Sequence, residues 1–303
     1  MKIVVLGAGA VGLTVAAKLS SVVDVHAVAR KRHADAVRER GFLMTGIWGE
    51  GAYRFSCSED LPRAWQDADY YIIAAKSTDT EAVCRQFAGA IRGREVVSLQ
   101  NGIGNEEIIS RFTDRVIGAM IITGFEWRGD ASVHVSVETS PMKIGRFPSG
   151  MDDAVGHLAD LIREAGIRAE ATDGIKADLW AKTLYNCALN PLGAITNVPY
   201  GALADPHAWA IVTAIVREAY RVMEAEGITL PRETPEAYLE YLRTTQLPAT
   251  AAHHSSMLQD LTAGRKTEID FMNGAVAALA LNHGIDAPYN TCIAELIRFR
   301  ERL

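Results

Sequence analysis

The chain has 303 residues, 49% of them hydrophobic and 22% charged, a globular balance with length enough for two domains of roughly 100–200 residues each. A formal net charge of -6 excludes a broad nucleic-acid-binding face, because basic clusters such as Arg30-Lys31-Arg32 suit a small anion rather than a duplex. The cysteines Cys57, Cys84, Cys187 and Cys292 lie at neither disulfide-framework nor metal-ligand spacing, so reduced, mostly buried thiols and no metal site are expected.

Lys2 to Leu6 reads as a strand, followed by Gly7-Ala8-Gly9-Ala10-Val11-Gly12 and a helical pattern through Leu19. The small residues of this run mimic a secretory leader, but glycines at 7, 9 and 12 favour strand, turn and helix. No apolar run reaches the ~18 residues of a membrane span, and a cytoplasmic protein is expected. In the glycine turn, Gly7 permits the tight bend, Gly9 admits a pyrophosphate to the backbone, and Gly12 lets the helix close on the strand. The helix N-terminus then faces the phosphates. A second strand, Val25 to Ala29, ends at Arg30-Lys31-Arg32, where NAD sites commonly carry a carboxylate for the ribose 2'-hydroxyl. With no carboxylate to repel a 2'-phosphate and a guanidinium to grip it, NADP is the expected cofactor. The same charges also read as a solvated turn.

Tyr70 to Ala75 is a continuous buried strand ending at Lys76, and Val96 to Leu99 is another, ending in Gln100-Asn101-Gly102-Ile103-Gly104-Asn105. Ligands of doubly wound sheets sit at such strand ends, although Asn101-Gly102 also makes a turn by itself. After Val116 to Thr123, the alternating segments Ser132 to Val137 and Met142 to Arg146 look like antiparallel strands at a sheet edge. Segments Ile162 to Ile167 and Ala169 to Thr172 close an N-terminal Rossmann domain over residues 1–172.

From residue 173 to 303 the pattern is helical. In Asp178 to Pro191 the polar residues Asp178, Lys182, Asn186 and Asn190 recur every fourth position among apolar neighbours, one slowly drifting stripe on a buried helix. An ammonium in that setting serves either a structural ion pair or a ligand. Asp205-Pro206 opens a long helix closed by Gly227, and Thr234-Pro235-Glu236 opens another. Ser255-Ser256 is read either as a helix N-cap or as a carboxylate site with Ser256 at its centre. Thr267 and Asp270 have the spacing of a capping box, leaving Glu268 as a first-turn acid. The adjacent His253 and His254 lack a third metal ligand.

Taken in order, GAGAVG, Arg30, Lys76, LQNGIGNEE from Leu99, WAKTLYNCALNP from Trp180 and SSMLQDLTAGRKTEID from Ser255 resemble the ketopantoate reductase family along essentially the whole chain. The resemblance implies an α/β protein: a Rossmann domain with an all-helical C-terminal domain of the 6-phosphogluconate dehydrogenase type. The activity implied is NADPH-dependent reduction of 2-dehydropantoate to pantoate on the route to coenzyme A. It implies Lys182 as catalytic acid, Glu268 as a second acid at the site, and Asn101, Asn186, Asn190 and Ser256 as substrate-binding residues. The cofactor would be held by Gly7 to Gly12, Arg30, Lys76, Asn101 and Glu268. A homodimer is compatible with it. Tyr200 and His253 stand where family members acting on ketopantoate often carry Asn, which leaves open a bulkier 2-oxo acid. A sensor that binds NADP without chemistry would need only the glycine loop and Arg30, and the retained Lys182, Asn186, Asn190, Ser256 and Glu268 argue against it.

Overall fold

The computed structural model describes residues 1–303. The chain forms two compact units, one of residues 1–100 and 105–176, the other of residues 101–104 and 177–303.

The first unit begins with β1 (Lys2–Leu6), α1 (Ala10–Leu19), β2 (Asp24–Val28), α2 (Lys31–Arg40), β3 (Phe42–Gly46), β4 (Gly51–Tyr53) and β5 (Ser56–Ser58). It continues through β6 (Tyr70–Ile73), α3 (Thr80–Gln86), α4 (Ala88–Ile91), β7 (Glu95–Ser98), α5 (Asn105–Ile109) and β8 (Val116–Met120). It ends with β9 (Thr123–Gly129), β10 (Ser132–Glu138), β11 (Met142–Arg146), α6 (Asp153–Glu164) and β12 (Ala169–Ala171). Eight strands make one sheet in the order β12-β11-β8-β7-β6-β1-β2-β5, parallel from β8 to β5, with β11 antiparallel to β8. Residues 3–6 of β1 and all of β6 are buried, as expected of parallel strands covered on both faces. Each buried Val, Leu or Ile there contributes roughly 1.5–3 kcal/mol. The helix α6 shows how the covering layer forms: Asp152 accepts from Val155 N at 3.0 Å, and Val155, Leu158, Ala159 and Ile162 put one apolar face inward.

The alternating segments after Met120 depart from the expectation of one sheet edge. Met142–Arg146 does join the main sheet, but β9 and β10 form a separate four-stranded sheet in the order β4-β3-β10-β9. There β10 runs antiparallel to β9 and parallel to β3. Local pattern did not reveal β3 and β4, because they are interrupted by Gly41, Gly46 and Gly49 at positive φ, and the β10 strand that continues their sheet lies about ninety positions beyond β3.

The second unit contains α7 (Ile175–Thr196) from Ala177 onward, α8 (Pro206–Ala225), α9 (Pro235–Tyr241), α10 (Leu247–Ala249), α11 (Ser256–Thr262), α12 (Asn273–Asn282) and α13 (Pro288–Arg300). Its core gathers Trp180, Leu184 and Leu189 of α7 with Val212, Ile215 and Val222 of α8 and Ile293 and Ile297 of α13. The two cap expectations hold: Asp205 accepts from His207 N at 2.9 Å and Thr234 from Ala237 N at 3.2 Å. The capping box does not form. Asp270 is drawn to the Arg298 guanidinium, while Thr267 Oγ1 donates to Glu301 at 2.6 Å. Cys292 is exposed, unlike the buried Cys84 and Cys187, and all four thiols are free. No helix is long and apolar enough to cross a membrane.

Candidate functional site

In the first unit the glycine turn follows β1 directly. Gly7 has φ +68°, and a Cβ there would lie 2.4 Å from Ala75 Cβ; at Gly12 it would lie 2.9 Å from Ala74 Cβ. Both glycines are therefore dictated by the close approach of the residues just after β6. Gly9 differs, since an added Cβ would meet no protein atom within 4 Å. It is the N-cap of α1 with no side-chain hydrogen bond, so the first amides of that helix are not capped by a side chain. Such a terminus suits a pyrophosphate. Ala8 N is fixed on Val28 O at 2.8 Å, which ties the loop to the end of β2, two residues before Arg30, the N-cap of α2. Of the three basic residues there, Lys31 pairs with Asp35 at 2.8 Å and Arg32 lies 3.6 Å from Asp130, whereas exposed Arg30 makes no ion pair. The chain thus leaves a guanidinium for a phosphate group and places no carboxylate at that position. Lys76 is half-buried after β6.

A polar network that sequence reasoning missed holds both residues flanking the 101–104 segment. Gln100 Nε2 donates to Thr80 Oγ1 and Thr80 Oγ1 to Asn105 Oδ1, each at 2.7 Å; Gln100 also reaches Ala75 O at 3.1 Å. All three side chains are buried, so the network fixes where the segment leaves and re-enters the first unit. The signal in the sequence was the polar group of Gln100 and Asn105 directly after the apolar strand Val96 to Leu99; Thr80, within the polar stretch Lys76 to Glu81, carried none of its own.

In the second unit three residues distant in sequence converge. Lys182 Nζ donates to Asn101 Oδ1 at 2.7 Å, and Asn101 Nδ2 donates to Glu268 Oε2 at 3.1 Å. Asn101 is thereby oriented at both ends of its amide. Its neighbour Gly102, at φ +86°, lies so close to Phe271 that a Cβ would come within 2.3 Å of the carbonyl oxygen, and Ile103 N donates to that oxygen at 2.9 Å. Burial pulls the Lys182 ammonium down to about 8, and the Glu268 carboxylate opposes that shift. A lysine so placed holds a proton near neutrality and releases it readily.

The four-residue stripe divides. Asn186 is half-buried and its amide makes no hydrogen bond to the protein. Asn190 is 3% exposed; its Oδ1 accepts from the Tyr200 hydroxyl, and its backbone oxygen accepts from Ser255 Oγ at 3.2 Å. At 3.6 residues per turn each step of four drifts by roughly 40°, and three steps carry Asn190 well round the helix from Asp178. Ser255 caps α11 by accepting from Leu258 N at 3.1 Å, which leaves Ser256 exposed with a free hydroxyl. Tyr200 sits edge-on to His253 and Tyr185, with ring centroids 5.2 and 6.0 Å away.

Residues 3–149 match the family described as ketopantoate reductase PanE/ApbA, and residues 174–301 match its C-terminal part. A 2-dehydropantoate 2-reductase of Pyrococcus horikoshii is 33% identical over 100% of this chain and 98% of its own length. This chain belongs to the ketopantoate reductase family. A second relative, the 2-dehydropantoate 2-reductase of Archaeoglobus fulgidus, is 32% identical over 98% of this chain and 97% of its own. Among solved structures, a PanE/ApbA family ketopantoate reductase from Ralstonia eutropha JMP134 superposes with a TM-score of 0.90 at 29% identity, covering 100% of this chain and 99% of that one. D-mandelate dehydrogenase, solved with NADH and anilino(oxo)acetate, superposes at 0.88 with 26% identity and the same coverage.

Proposed function

We propose that this protein reduces 2-dehydropantoate to pantoate, with NADPH as hydride donor. The observation that carries the proposal is the Lys182–Asn101–Glu268 constellation, which keeps a protonated amine of lowered pKa beside a carboxylate. The full-length relatives named for this activity support it. NADPH, when bound, supplies the hydride that adds to the keto carbon. Gly9 and the α1 terminus would hold its pyrophosphate and Arg30 its 2'-phosphate, with Lys76 adding positive charge. Lys182 stabilises the developing alkoxide and then gives its Nζ proton to the oxygen, so that one hydride and one proton make the alcohol. Asn101 fixes the direction of that ammonium, and Glu268 keeps enough of it protonated. The free Asn186 amide and the Ser256 hydroxyl are the groups we assign to the substrate's hydroxyl and carboxylate.

One observation favours a second reading, a bulkier and less hydroxylated 2-oxo acid. The Asn190 Oδ1 that would accept from a substrate hydroxyl is taken by Tyr200, and the Tyr185, Tyr200 and His253 rings lie together beside it. Steady-state NADPH oxidation with 2-dehydropantoate and a panel of branched and aryl 2-oxo acids separates the two. Preference for 2-dehydropantoate supports the first reading and preference for an aryl acid the second. Tight NADPH binding with no turnover of any acid would overturn both.

A further inference from the structure

Helix α7 carries Lys182 and Asn186, and it contains a proline, Pro191, within its span. Proline has no N–H to give to the carbonyl four residues back, which here is Cys187, and its ring pushes that carbonyl outward. A buried carbonyl without a donor is costly, so something must supply one. The donor is Asn273, fully buried at the start of α12, whose Nδ2 reaches Cys187 O at 3.2 Å. The same Nδ2 donates to Asn290 Oδ1 at 3.0 Å, and Asn290 in turn donates from its side-chain and backbone nitrogens to Glu218 Oε2 at 2.8 and 2.9 Å. Glu218 also accepts from Tyr289 N at 3.0 Å. The Asn273 Oδ1 is itself buried without a donor, so the side chain acts entirely through the bonds that its Nδ2 donates.

The spacing along the chain gives this relay its consequence. Cys187 is five residues beyond Lys182 on α7, and Asn273 is five residues beyond Glu268 on the segment that also presents Phe271 to Gly102 and Ile103. The same two stretches are thus joined twice, once through Lys182, Asn101 and Glu268, and once through the Cys187 carbonyl and Asn273. We infer that Asn273 is a positioning residue for the reaction: by capping the carbonyl that Pro191 leaves bare, it sets the separation of Lys182 from Glu268. Asn290 and Glu218 hold the cap in place from α13 and α8.

This inference rests on the role proposed for Lys182, and its test includes a reading that needs no turnover. Pro191→Ala restores an intrahelical donor to Cys187, so the cap becomes dispensable in that background. The variants Asn273→Ala, Pro191→Ala and the double variant are compared by the pH dependence of Lys182 acetylation with acetic anhydride, read by mass spectrometry, and by kcat. In Asn273→Ala the Lys182 midpoint should move by at least about half a pH unit and kcat should fall about tenfold, with the KM for NADPH nearly unchanged. Pro191→Ala should behave as wild type, and the double variant should behave as Pro191→Ala. If Asn273→Ala does not fold, the comparison of the double variant with Pro191→Ala carries the test. A folded Asn273→Ala with unchanged labelling and kcat overturns the inference. So does a double variant that is as impaired as Asn273→Ala or that cannot fold. Absence of turnover in the wild type would count against the proposed function alone, since the labelling series still decides the question of the cap.

Discussion

Replacing Glu268 by Gln tests the electrostatics of the candidate site most directly. The amide keeps an oxygen for Asn101 Nδ2 and removes only the charge that raises the Lys182 pKa. The two groups are separated by one amide bridge, on the order of 7 Å, for which Coulomb's law at an effective dielectric of ~20 gives about 2 kcal/mol. Solvent on the half-buried side screens part of this, leaving a fall of ~1 pH unit. The sign follows from the chemistry. Reduction needs the ammonium, so its rate should decline as pH rises through about 8 in the wild type. In Glu268→Gln that decline should be centred ~1 unit lower. Alcohol oxidation needs the neutral amine and should rise over the same range. Single-turnover hydride transfer at saturating NADPH is the appropriate assay, because product release can mask chemistry in kcat. A limb that stays in place or moves upward in Glu268→Gln would refute the coupling, and a limb that persists in Lys182→Ala would assign it to another group.

Arg30→Ala should weaken NADPH binding by about tenfold or more and leave NADH binding nearly unchanged, as measured by titration of both cofactors; an unchanged preference would remove Arg30 from the 2'-phosphate. The two glycines of the turn should separate stability from binding. Gly9→Ala, whose Cβ meets no protein atom, should melt within about 2 °C of wild type yet bind NADPH poorly, whereas Gly7→Ala should lose more than about 2 kcal/mol in urea unfolding. Tyr200→Phe should cost about 1–3 kcal/mol in the same assay, because it leaves the buried Asn190 Oδ1 without its donor. A neutral result would show that the hydroxyl does not hold that amide.

Much was legible in the sequence because its cause is local. The order of strand, glycine turn and helix needs only neighbouring residues, and so do the Asp205 and Thr234 caps and the alignment of Lys182 with Asn186 along one helix. The family motifs named the candidate residues, but what each of them touches is not a local property. Lys182 meets Asn101 across 81 positions and Asn101 meets Glu268 across 167, and only the folded chain decides such distances. The fold also decided between rivals of equal local merit. Ser255 rather than Ser256 became the cap of α11, and Asp270 left Thr267 for Arg298 because a guanidinium fork offered it the stronger bond. Glycine-bounded β3 pairs with its neighbour β4 on one side and with the distant β10 on the other, and the second of these partners is decided by the fold. Pro191 lies inside α7 with no N–H for the Cys187 carbonyl, and the donor to that carbonyl comes from Asn273, more than eighty residues later. Sequence thus fixed which groups and turns were available, and tertiary packing chose their partners, because a buried polar atom must be satisfied by whatever the fold brings within reach.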